Sequence, residues 1–309
     1  MDIKAKVAAL SVASNSLLVI LKLVVGLMIG SVSVISEAIH SGLDLVAALI
    51  AFFSVRTSSL PPDEQHRYGH GKIENVSGTI EAILIFIAAI WIIVEAVDKL
   101  IVGVEVSTVG PGLVVMGISA ALNFGISSLL FRVARQTGSI ALEADALHLR
   151  TDVYTSVGVF VGLGLIHFTG LSILDPLIAL GVALLIIKAS WELTRRAFMP
   201  LVDVALPAQD EHIITDILSS YRATGDILGY HKLRTRQAGA DRHVDLHILL
   251  PGNRDLVSVH DLSDAIEFDI REQLANTSVL IHMEPCCKEA EKDCDNCWFR
   301  KQNEPGEVP

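Results

Sequence analysis

Apolar residues gather along this chain into six blocks, about 7–30, 32–56, 74–100, 109–134, 140–168 and 171–197, separated by short polar or turn-forming stretches. A helix of roughly 20 residues crosses a hydrocarbon core of about 30 Å, and each block is long enough for that. The breaks carry helix-ending residues: Gly30-Ser31, Pro61-Pro62, Gly110-Pro111-Gly112 and Asp175-Pro176. The first block is expected to be a span and not a cleaved signal sequence, since further spans follow at once and no small-residue cleavage site stands in a polar flank.

After residue 200 the pattern changes. Pro207 to Arg222 has the period of an amphipathic helix, and Gly229 to Arg236 and His243 to Leu250 alternate as strands around an Ala-Gly-Ala-Asp turn. A second helix is expected over about 258–275 and a short strand over Ser278 to His282. The order αββαβ predicts a small sandwich with helices on one sheet face. The expected fold class is an α-helical membrane protein, a six-transmembrane-helix bundle followed by a small cytoplasmic α+β metal-binding domain. Its boundaries are 1–200, 201–285 and a cysteine-rich tail at 286–309. A domain of roughly 80 residues has a modest core, which burial against a second copy would extend.

Composition agrees with a lipid-embedded chain: 51% of residues are hydrophobic and the mean hydropathy is +0.51. Lys4, Lys6, Arg56, Arg67, Lys72, Arg132, Arg135, Arg195 and Arg196 fall on one side of the predicted spans, with little beyond Lys99 on the other. The excess of basic residues in cytoplasmic loops then places both termini and the 57–73 loop in the cytoplasm, the spans lying in a plasma or inner membrane. The net charge of −11 does not oppose this, because the rule counts basic residues near spans. No basic patch suggests nucleic acid, and no GxxxxGK[ST] suggests nucleotide.

Two copies of one pattern stand inside apolar blocks: His40-Ser-Gly-Leu-Asp44 and His148-Leu-Arg-Thr-Asp152. Residues four apart share a helix face, so each copy presents an imidazole beside a carboxylate. Two such helices face to face offer two nitrogens and two oxygens, a set that suits a tetrahedral divalent ion. Ionisable groups within a bilayer are expensive and mark ion pathways by default. Lys22, Glu37, Glu81, Asn123, Glu143 and Asp145 also fall in or near the blocks, where interhelical pairing or snorkelling explains them.

Two further groups could hold metal. In the loop at 61–72, Asp63, His66 and His70 have spacings of three and four that converge if the backbone turns at Gly69 and Gly71; a solvated loop is the alternative. After residue 200, His231, His243, His247, His260 and His282 gather with Glu284, and His243, Asp245 and His247 share one strand face. All four cysteines, Cys286, Cys287, Cys294 and Cys297, lie within the tail. Four thiolates could enclose zinc or another soft ion; a disulfide fits a reducing cytoplasm poorly, and a disordered terminus is the plain alternative.

With these residues in place the chain resembles the cation diffusion facilitator family, in particular bacterial YiiP-type zinc efflux transporters. The likeness is carried by SVSVISEAIHSGLD, HRYGHGKIE, EADALHLRTD, HKLRTRQAG, HVDLHILL and IHMEP, over about residues 5 to 287. It implies a transport site at His40, Asp44, His148 and Asp152, with His40 standing where the YiiP-type pattern has Asp. It also implies a loop site at Asp63, His66 and His70, and a dinuclear cytoplasmic site at His231, His247, His260, His282 and Glu284. Glu284 replaces an Asp of the pattern, and Met283 a Gln. Lys72 and Asp203 match a charge pair that ties the membrane domain to a dimeric tail, so a homodimer is implied.

An added nitrogen at position 40 favours Zn²⁺ over Mn²⁺ and leaves Cd²⁺, Co²⁺, Ni²⁺ and Fe²⁺ open as substrates. Metal binding needs neutral His and ionised Asp, so protons compete with the ion, and metal export by proton antiport is the expected activity. Zn²⁺ is also expected as a regulatory ligand of the cytoplasmic site. A metal-dependent membrane enzyme is a competing class, though no HExxH motif is present, and a membrane-tethered sensor is another; flux across sealed vesicles separates them.

Overall fold

The computed structural model describes residues 3–29, 32–102, 112–169 and 173–286. The chain divides into two units, Met1–Val202 and Asp203–Pro309.

Six helices build the first unit: α1 Ile3–Ile29, α2 Val32–Ser58, α3 Lys72–Val102, α4 Gly112–Thr137, α5 Ile140–Thr169 and α6 Leu174–Phe198, followed by a tight turn over Met199–Val202. Over the described residues, five are long and apolar enough to cross a membrane. Large apolar side chains such as Leu17, Phe53, Trp91, Leu184 and Trp191 face outward, as a surface bathed in lipid tails requires.

Inside, small residues let the helices approach, because in lipid close packing has to replace hydrophobic driving force. Ala8, Ala48, Ala51, Ala82, Ala89, Ala141 and Ala144 are fully buried. A Cβ on Gly78 of α3 would fall 2.5 Å from a methyl of Ile140, so only glycine admits the start of α5 there. The main pairings are α1 with α2, α3 with α6 and α4 with α5, while α2, α3 and α5 also touch one another.

One end of this bundle is tied by Glu74. Its buried carboxylate accepts from Lys4 Nζ of α1 (3.1 Å), Ser58 Oγ of α2 (2.7 Å) and Ser139 Oγ at the entry to α5 (2.5 Å). Nearby, Asn75 Nδ2 donates to the Ala197 carbonyl of α6 at 3.2 Å. Together the two residues hold five helices at one level.

The second unit runs α7 Ala208–Ala223, β1 Gly229–Ala238, β2 Asp241–Leu250, α8 Leu256–Gln273 and β3 Thr277–Pro285. β1 and β2 form an antiparallel hairpin around Gly239, whose φ of 63° suits glycine. β3 returns through α8 to lie parallel to β2, giving the order β1-β2-β3. Alternation along β2 sends Val244, Leu246 and Ile248 into a core with Ile214 and Leu218 of α7 and Ile266 and Ile270 of α8. His243, Asp245 and His247 are left on the opposite face. Asp255 caps α8 by accepting from the Ser258 amide at 3.0 Å, and this bonding to Ser258 lowers its pKa.

Candidate metal centres

In the bundle, α2 and α5 bring Asp44, His148 and Asp152 together: each offers a ligand atom, and these lie within 4.8 Å of one another. His148 Nε2 stands 3.0 Å from Asp44 Oδ1. Asn123 of α4 donates from Nδ2 to Asp152 Oδ2 at 3.4 Å. His40 lies on α2 one turn ahead of Asp44; its side chain falls outside the described residues. The group opens on a cavity of about 640 Å³, whose wall includes Asn15, Lys22, Ser41 and Ser119.

Asp44 is 5% exposed, so its charge is held inside protein. Glu81 of α3 and Asp145 of α5, both fully buried, lie within electrostatic reach of His148 and outside the triad. The carboxylates of Asp44 and Asp152, held together in a site of low dielectric, attract a cation strongly. Lys22 Nζ donates to Ser41 Oγ at 2.8 Å, which anchors the ammonium on the cavity wall. Neither Ser41 nor Asn15 stood out in the sequence, since a single small polar residue in an apolar block carries no pattern.

The loop between α2 and α3 folds back on itself. Asp63 contacts His66 Nδ1 and His70 Nε2, each at 3.3 Å, and the two imidazoles lie tilted against each other with centres 4.4 Å apart. Gly69, at φ 82°, makes the turn. The Asp63 carboxylate accepts from the backbone amides of His66 and Gln65, and chiefly the His66 amide holds its pKa below the ordinary value. His70 is buried and its Nδ1 has no partner among the described residues. Three ligand atoms within 4.8 Å again make a possible cation site.

On the sheet of the second unit, register aligns the histidines: His231 pairs with His247, and His247 with His282. The bulge between His231 and Arg234, with Lys232 at φ 51°, falls beside this row. Glu284, two residues beyond His282, reaches across, with Oε2 2.9 Å from His231 Nε2 and Oε1 2.7 Å from His247 Nδ1. Contact with His247, and then with His231, lowers the Glu284 pKa against the opposing effect of burial. The His282 ring lies tilted against that of His247, with centres 4.6 Å apart. His260 is elsewhere, exposed on α8 with Nδ1 3.6 Å from Asp264, so a single chain does not bring it to the row. Met283 packs against the core.

Lys72 opens α3 in the first unit, while Asp203 opens the second, at φ 57° and 3.8 Å from Arg236. Of the four cysteines, Cys286 alone lies within the described residues, its amide donating to the Leu250 carbonyl at 2.8 Å. Cys287, Cys294 and Cys297 lie outside them.

Residues 8–202 match the cation efflux transmembrane domain, and residues 206–286 match the cytoplasmic domain of cation efflux proteins. The chain belongs to the cation efflux family. Relatives resemble it along nearly its whole length. An uncharacterized transporter of Synechocystis, sll1263, is 37% identical over 278 residues, 90% of this chain and 89% of that one. The cation-efflux pump FieF of Citrobacter koseri is 31% identical over 283 residues, 92% of each chain. Protein p34 of Rickettsia prowazekii is 29% identical over 279 residues, 90% of this chain and 91% of that one. This is therefore a multi-pass membrane transporter for metal cations and not an enzyme, and the resemblance read from the motifs is that of its own family.

Proposed function

We propose that this protein exports Zn²⁺ from the cytoplasm in exchange for protons, through a site made of His40, Asp44, His148 and Asp152. The observation that carries the reading is the meeting of Asp44 on α2 with His148 and Asp152 on α5 at a cavity whose largely apolar wall also carries Asn15, Lys22, Ser41 and Ser119. Two imidazoles and two carboxylates suit Zn²⁺ better than Mn²⁺, with Cd²⁺, Co²⁺, Ni²⁺ and Fe²⁺ as alternative cargo. A proton reaching either imidazole expels the ion, so alternate exposure of the site exchanges one for the other.

Both termini are cytoplasmic in this reading, on the charge asymmetry of the loops. Asp63, His66 and His70 form a loop site that captures metal near the entrance. The active form is a homodimer, and zinc at His231, His247, His282 and Glu284, with His260, stabilises one arrangement of the two cytoplasmic domains. Lys72 and Asp203 pass that bias to the membrane bundle as a shift of population. The cysteine tail holds a further soft-metal site.

Zn²⁺ flux into proteoliposomes under an imposed pH gradient, intact protein against Asp152→Ala, tests the central claim. Flux that requires the gradient and disappears in the variant supports it. Gradient-independent flux removes the proton coupling, and full flux in the variant removes the site. For the regulatory claim, loss of both His231 and His282 should flatten the dependence of transport on cytoplasmic zinc; an unchanged dependence rejects it.

A further inference from the structure

A second cleft, of about 650 Å³, runs along the seam of α4 and α5 and is lined by Arg132, Arg135, Arg150, Phe131, Ser128 and Tyr154 among others. Cation transport has no use for a cavity walled by three guanidinium groups. Arg150 stands between His148 and Asp152 in sequence, and two residues along a helix turn the side chain to the far face. Tyr154, one turn on from Arg150, shares that face. The helix that carries the transport ligands therefore presents an arginine on its back.

The Arg150 guanidinium is fixed in place but not neutralised. Its Nε donates to Ser127 Oγ at 3.0 Å and its Nη2 to Ser128 Oγ at 2.9 Å. Its carbon lies 4.6 Å from the ring centre of Phe124 and 5.6 Å from that of Phe131. Hydroxyls and aromatic faces orient a cation without cancelling its charge. Among the described residues, no carboxylate pairs with Arg132, Arg135 or Arg150, and none lines the cleft. Counting back from the α4–α5 turn at 1.5 Å per residue, Arg135, Arg132 and Arg150 sit at depths of about 3, 8 and 15 Å.

We propose that this cleft binds the phosphate of an anionic phospholipid. The planar guanidinium fork matches phosphate oxygens, and three such groups stepping inward from the end of the bundle ask for an anion already at the membrane surface. Basic pockets between transmembrane helices take anionic headgroups for this reason. The flank supports a lipid over free phosphate: Phe124 and Tyr154 are half exposed beside the cleft and lie deeper along their helices than Arg150, where acyl chains would run. A lipid held there braces α4 against the back of the transport helix. The inference needs only that the chain is membrane-embedded and does not rest on which ion is carried.

The test is native mass spectrometry of the full-length protein, delipidated in detergent and then given phosphatidylglycerol, phosphatidylcholine or inorganic phosphate. The expected result is retention of phosphatidylglycerol over phosphatidylcholine, weakened by about tenfold in Arg132→Gln/Arg135→Gln, as the loss of two charge-assisted contacts implies. A thermal unfolding midpoint in detergent matching that of the wild type serves as the folding control of the double variant. Equal retention of the two lipids by the wild type overturns the proposal without any variant. So does undiminished phosphatidylglycerol in a folded double variant. Displacement of the lipid by inorganic phosphate at matched concentration shows an anion site and overturns the lipid as its occupant.

Discussion

Asp44 and His148, 104 positions apart, meet at 3.0 Å and join α2 to α5. Neither helix holds more than half of the proposed ligand set, so that site depends on their relative placement. Asp44→Asn keeps the volume and removes the charge. It should lower Zn²⁺ affinity by more than the roughly 10- to 100-fold typical of an outer hydrogen-bond partner, read by isothermal titration calorimetry.

Asn123 reaches Asp152 from α4 at 3.4 Å, which makes it such an outer partner of the proposed site. Asn123→Ala is expected to weaken Zn²⁺ binding by about 10- to 100-fold and to leave the thermal melting of the bundle nearly unchanged. A large drop in melting temperature with intact affinity would show that the residue serves packing instead.

Glu74 ties Lys4, Ser58 and Ser139 at one end of the bundle. In Glu74→Ala the three donors lose a common acceptor in a buried place, at a cost of about 1–3 kcal/mol. Thermal unfolding in detergent should show a lower midpoint, with the proposed transport ligands untouched.

Tyr221 of α7 donates its hydroxyl to Asp269 of α8 at 2.6 Å. Burial, and then this carboxylate, push the phenol pKa up from 10.0 to about 12. The folded protein thus holds the proton more tightly than the unfolded chain. The stabilisation is fully present below pH 10 and is lost as pH rises toward about 12. Tyr221→Phe should cost about 1 kcal/mol near neutrality and should remove this part of the alkaline loss, as followed by denaturant unfolding across that pH range.

Metal at the sheet row should stabilise the second unit by mass action, about 2.7 kcal/mol at a concentration 100 times the dissociation constant. A chelator should reverse the gain, and His247→Ala should abolish it. A melting midpoint that ignores both zinc and chelator would leave the row without a metal role.

Much of this was legible in the chain because it depends on local period. Length and apolarity set the helices within a few residues, and the change to alternation after residue 200 set the two strands of the hairpin and the third. The paired His-x-x-x-Asp pattern pointed to α2 and α5 because residues four apart must share a helix face. The row of His231, His247 and His282 depended on strand register, which no local pattern states. Gly78 against Ile140, Glu74 gathering three helices, and Asn123 reaching Asp152 depended on which helices became neighbours. Arg150 shows the division most plainly. Sequence determined that it faces away from His148 and Asp152, through helix geometry alone. Only tertiary packing decided that α4 would bring Ser127, Ser128 and two aromatic rings around it, because contacts between distant segments come from the whole fold finding its closest fit.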